Sequence, residues 1–161
     1  MTMRDRLLVY ANLYLTLDTE VKRLLKHVRE HVTSIHDAQL LHSFLTNDFS
    51  LQTDGARFEK FVVKYHCNLE FYHDLLEQIR LHERDIEDVK AHFVSIGLKN
   101  IIFSSRSVSA IGTYGVQVWY DILSHDLSLG LADEQVLTTD VRRYMDTLRS
   151  LFDDILHRDI F

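Results

Sequence analysis

The sequence predicts an all-α single domain of about six to seven helices, and three observations lead to that class. The chain has no proline and only five glycines in 161 residues, too few turn formers for a sheet-rich fold. Apolar residues recur at spacings of three and four through most long segments. The composition is 46% hydrophobic and 26% charged, ordinary for a globular protein and too apolar for disorder. A chain of this length builds its core most economically as one domain, residues 1–161.

The elements follow in order. Residues 4–15 are expected to form a short amphipathic helix with Leu7, Leu8, Ala11 and Leu15 on one face. Thr16 or Asp18 can cap a second helix running to about Val32, with Val21, Leu24, Leu25 and Val28 inward. Ser34 stands before HDAQLLHSFLTNDF, where Leu40, Leu41, Phe44 and Leu45 make the stripe. Asn47-Asp48 through Gly55 reads as a break. From Gly55 to about Leu81 one long helix carries Phe58, Phe61, Val62, Tyr65, Leu69, Tyr72, Leu76 and Ile79. A shorter helix after His82 turns Ile86, Val89, Phe93 and Ile96 inward and stops at Gly97. Two long helices close the chain, 98–124 and 138–157.

Within 98–124, Ser104, Ser105, Ser107, Ser109, Ala110, Gly112 and Gly115 crowd small side chains together. Glycine inside a helix costs up to about 1 kcal/mol relative to alanine. The cluster serves either a close helix crossing or open space for a ligand.

The net charge of −6 without a basic run argues against nucleic acid and anionic membranes as partners. No segment approaches the roughly 20 apolar residues that span a bilayer, and the N-terminal apolar run is too interrupted for a signal peptide. The single cysteine, Cys67, forms no internal disulfide and fits a reducing, cytoplasmic setting. No HExxH, GxSxG or phosphate-cradling glycine loop occurs, so an enzyme is not expected. His66, Glu70 and His73 share one helical face at metal-ligand spacing, but matching ligands on other helices are missing, and no metal is expected. The initial Met and the compact ending fit a whole protein.

The stretches FEKFVVKYHCNLEFYHDLLEQ and DIEDVKAHFVSIGLKN, followed by two long segments, resemble the globin-coupled sensor lineage of bacteria over roughly residues 20–158. Within it, the chain is most similar to the standalone non-haem sensor-domain proteins that inhibit sporulation in bacilli. The haem-binding members place the iron-ligating histidine four residues before the glycine. Here that position is Phe93, and His92 lies one residue early, turned by about 100°.

The resemblance implies a globin-like fold and no resident cofactor. It also implies a fatty acid in an apolar tunnel, and possible halide binding. The implied role is modulation of a sporulation histidine kinase, with the free domain competing for its signal or docking in its place. Phe58, Phe61, Val62, Tyr65, His66, Leu69, Phe93, Ile96 and Ser105 are the expected ligand contacts. Arg57 and Arg106 are the expected anion contacts. Pairing of helices 98–124 and 138–158 across a twofold axis would give a homodimer. The alternative reading is a haem sensor of oxygen or redox state with His92 as proximal ligand.

Overall fold

The computed structural model describes residues 1–132 and 136–159. It overturns the all-α expectation. Five α-helices, α1 (Met3–His31), α2 (Ile35–Thr46), α3 (Leu51–Val63), α4 (Glu70–Ser95) and α5 (Thr139–Leu156), accompany four strands. The strands β1 (Lys99–Ser104), β2 (Ser107–Ile111), β3 (Gln117–Asp121) and β4 (Asp126–Gly130) pair in sequential order as an antiparallel meander. A globin-like domain has no place for a sheet, and this sheet occupies the segment expected to be helix 98–124. The physical reason lies in the residues themselves. From Val116 to Ile122 buried and outward positions alternate, with Val116, Val118, Tyr120 and Ile122 inside, which is the period of a strand. Ser104 to Ser107 and Gly112 to Gly115 supply the chain reversals.

The helix boundaries also shift. α1 is continuous through Thr16 and Asp18, and Asp18 pairs with Lys22 at 3.0 Å within the helix instead of capping a new one. The expected helix from Gly55 to Leu81 breaks after Val63. His66 there adopts a left-handed φ of 58°, and the Asn68 side chain accepts the Glu70 N–H at 2.9 Å to start α4. α4 then runs through His82 without interruption. Ser34 and Thr138 cap α2 and α5 through their side chains.

The chain divides into two compact units, Leu15–Gln78 and Met1–Tyr14 with Ile79–Phe161. In the first, Phe44, Phe58, Phe61 and Tyr72 build an aromatic centre with ring separations of 5.4 to 5.8 Å. In the second, one face of the sheet packs on helices. Phe93 of α4 stacks on Phe152 of α5 at 5.1 Å, and Phe152 meets Tyr120 of β3 at 5.2 Å. Arg6 of α1 pairs with Asp85 of α4 at 2.5 Å. No described helix is long and apolar enough to cross a membrane.

Candidate functional site

Among the described residues of its unit, none covers the meander's other face. Strand register lines up two rows across it. Ile102, Ser109, Trp119 and Ser128 are successive cross-strand partners, and Ile111, Gln117 and Gly130 form the row beside them. Cross-strand neighbours stand within about 5.5 Å. The indole of Trp119 therefore rises between two serines, whose short side chains leave a trough on either side. Exposure of 61% at Ile102, 51% at Trp119 and 38% at Ile111 shows an apolar surface presented to solvent, not buried as on the opposite face. The hollow has a volume of about 1100 Å³, and its rim includes Lys90 and Asn100. Lys90 carries the only charged side chain among its lining residues, which include no acid, histidine or thiol. Chemically the face offers a flat aromatic platform, two aliphatic anchors, several neutral hydrogen-bonding groups and one cation.

A second hollow of about 530 Å³ shares Lys90 and Ile101 with the first. Arg80, Arg84 and Lys90 there alternate with Glu83 and Glu87, so its charges largely offset one another, with one cation in excess.

The residues expected to bind a ligand are divided between the two units. Phe58, Phe61 and Val62 are buried in the aromatic centre of Leu15–Gln78. Leu69 is partly exposed at the approach to α4. The Tyr65 hydroxyl donates to Asp37 Oδ2 at 2.5 Å, and Lys64 Nζ reaches both Asp37 oxygens at 3.0 Å. The Tyr65 bond first and the Lys64 ammonium second hold the Asp37 carboxyl below its ordinary range. Tyr65 is thus tied into a structural network. His66 is exposed on the turn before α4. Arg57 pairs with Asp54 at 3.3 Å and lies over the Phe44 ring at 5.0 Å. With His66 on the turn and Glu70 opening α4, the shared helical face expected for His66, Glu70 and His73 does not form; His73 instead pairs with Glu59. The Cys67 thiol is pushed up by burial.

Phe93 is fully buried in the sheet-bearing unit, Ile96 is partly exposed after α4, and Ser105 and Arg106 lie exposed in the β1–β2 turn. His92 is partly exposed near the end of α4 and lines neither hollow. Phe93 points into the core where a globin-type iron ligand would have to point, and it is packed against Phe103 and Phe152.

Ile102, Ile111 and Trp119 are apolar in the sequence and count there only as apolar residues of the expected helix 98–124. In VQVWYDI the polar Gln117 and Asp121 alternate with Val116, Val118, Tyr120 and Ile122, and that period is the signal that identifies Trp119 as outward. Comparison with protein-family models, with curated proteins and with solved structures finds no match to the chain. The class that fold and site define is therefore a mixed α/β protein, helices on one face of a four-stranded antiparallel meander, with an open apolar face.

Proposed function

We propose that this is a non-catalytic binding protein that holds an amphipathic carboxylate, of the fatty-acid class, on the open face of its sheet. The observation that carries this reading is the pairing of exposed Ile102, Ile111 and Trp119 with a single cation, Lys90, at the rim of the same hollow. An acyl chain laid along the trough gains about 0.8 kcal/mol for each CH₂ removed from water. Its carboxylate has one charged partner available in Lys90, assisted by the amides of Asn100 and Gln117. The hollow's volume of about 1100 Å³ lies just above the range for small-molecule sites, about 300–1,000 Å³. A cytoplasmic setting, from the lone cysteine, belongs to the same proposal. The histidine-kinase partner rests on an all-helical likeness, and nothing at the sheet face adds to it.

Trp119 is the chain's single tryptophan, so intrinsic fluorescence reports on this face alone. Titration of delipidated protein with fatty acids of increasing length should shift Trp119 emission to the blue, with affinity rising with chain length. Lys90→Ala should weaken carboxylates more than the matching alcohols. An unchanged emission at every chain length, in protein whose circular dichroism is native, defeats the proposal. A blue shift that grows with protein concentration in the absence of lipid assigns the face to self-association instead.

A further inference from the structure

Away from the sheet's open face, the β3–β4 turn and the last turn of α5 bring together His125, Asp153 and His157. One ligand-competent atom from each lies within 4.8 Å of the other two. The two imidazole centroids are 5.9 Å apart, with ring planes at 79°. Asp153 and His157, four residues apart, share one helix face, and His157 is the C-cap of α5.

The hydrogen bond made by His157 suits metal ligation, and that of His125 must first be exchanged. His157 Nδ1 lies 2.8 Å from the Asp153 backbone carbonyl, an acceptor that fixes the proton on Nδ1 and leaves the Nε2 lone pair outward. His125 Nδ1 stands 2.7 Å from the Tyr120 hydroxyl and 2.9 Å from Arg4 Nε. Arg4 Nε donates to that nitrogen, which puts the proton of a neutral His125 on Nε2. Ligation through Nε2 therefore requires the partly exposed Arg4 side chain to swing away and Nδ1–H to donate to Tyr120 instead. Metal-ligating histidines characteristically give their second nitrogen to such a partner.

The local field also favours a cation. The C-terminus of a helix carries about half a negative charge, and the Asp153 carboxylate adds to it. Of the nearby bases, Arg158 is paired with Asp154 at 3.0 Å, while Arg4 at the ring and Arg149, one helical turn before Asp153 and bonded to the Leu127 carbonyl at 3.4 Å, are opposing charges.

We propose that His125, Asp153 and His157 form a surface site for a divalent transition-metal ion of the zinc class, with water in the remaining position. Two nitrogens and one carboxylate oxygen are a borderline-soft donor set suited to zinc or cobalt, not to calcium or magnesium. Bonds of about 2.0–2.1 Å put tetrahedral ligands about 3.3 Å apart, and rotation of three exposed side chains closes the present spacing. A bound ion would clamp the β3–β4 turn to the end of α5.

The test is cobalt(II) titration of the tag-free full chain, followed by visible absorption. The expected result is the intense d–d band of a four-coordinate ion, saturating at one equivalent and displaced by zinc. His125→Ala and His157→Ala should each weaken binding by about 10-fold or more, with unchanged circular dichroism because both rings are exposed. His27→Ala serves as the control, since His27 and His31 form a second close imidazole pair at 4.5 Å. A weak octahedral spectrum overturns the proposal, as does a band that survives both His125→Ala and His157→Ala or disappears in His27→Ala.

Discussion

The hydroxyl of Tyr144 accepts the backbone N–H of Thr113 at 2.9 Å, which pins the loop after β2 to α5. The same oxygen fills the space where a β-carbon on Gly112 would stand, and Cζ and Cε1 of the ring follow at 3.2 and 3.3 Å. Gly112 is therefore required by close approach, since its φ of −96° suits any residue. Gly112→Ala is expected to cost about 1–3 kcal/mol by overpacking. Tyr144→Phe should cost about 0.5–1.5 kcal/mol through the lost hydrogen bond. Because Phe vacates the hydroxyl position, the double variant should be less destabilised than the sum of the two. Strict additivity in urea unfolding would contradict this account of the contact.

Phe93 and His92 are neighbours in sequence with opposite environments. Phe93→Ala empties the stack between Phe103 and Phe152 and is expected to cost about 3–5 kcal/mol. His92→Ala should stay within about 0.5 kcal/mol of the parent. Equilibrium unfolding of the two variants decides the matter, and a reversed ranking would mean that α4 is rotated from the orientation described.

Asp37 gives a signed pH dependence. Its folded carboxyl lies below the ordinary value of 3.8 because Tyr65 and Lys64 bond the charged form. The stability it contributes is therefore fully present above about pH 4 to 5 and is lost as pH falls through the lower folded value. Asp37→Asn should unfold more readily than the parent at pH 7, with the difference closing toward pH 3. A gap between the two melting temperatures that is constant from pH 7 to 3 would show that the ionised carboxylate adds nothing.

In the aromatic centre, the Tyr72 hydroxyl is buried without a hydrogen-bond partner. Burial, with a smaller contribution from Glu59, pushes its pKa up to about 12. An unmet buried hydroxyl costs about 1–3 kcal/mol. Tyr72→Phe keeps the ring contact with Phe58 and is expected to leave stability equal or raise it by about 1 kcal/mol. A clear loss in thermal unfolding would reveal a bond to that oxygen.

Much of the helical part was legible from local chemistry. Ser34 and Thr138 cap the helices they precede. Gly97, at a φ of 89°, ends α4 with the paired bonds Gly97 N–H to Val94 and Leu98 N–H to Phe93, a Schellman stop. That stop also gives Ile-Gly-Leu in VKAHFVSIGLKN a local reason to exist. The residues that suggested a haem-site outline are the punctuation that turns a helix into strand β1.

The sheet was not legible because scarcity of glycine and proline was weighed over the whole chain. Three short turns need few such residues. Asn100, Tyr114 and His125 adopt left-handed backbone angles without being glycine. Ile102 and Ile111, nine residues apart, fall on opposite sides of a helix, a mismatch that the many other apolar residues of 98–124 masked, and the alternation around Trp119 is the second signal of a strand. The open face was missed with them, since its lining exists only once the meander is formed.

The two units are assembled differently along the chain: Leu15–Gln78 is one continuous stretch, whereas its companion joins Met1–Tyr14 to Ile79–Phe161. During synthesis the continuous unit has all its parts once residue 78 has emerged. The other must hold its first helical turns, with buried Met3, Leu7 and Ala11, until α5 has been made. Domains generally fold as units as they emerge, so the order of birth runs from the middle outward. Hydrogen exchange on ribosome-stalled chains should find Leu24 and Val28 protected before Leu7.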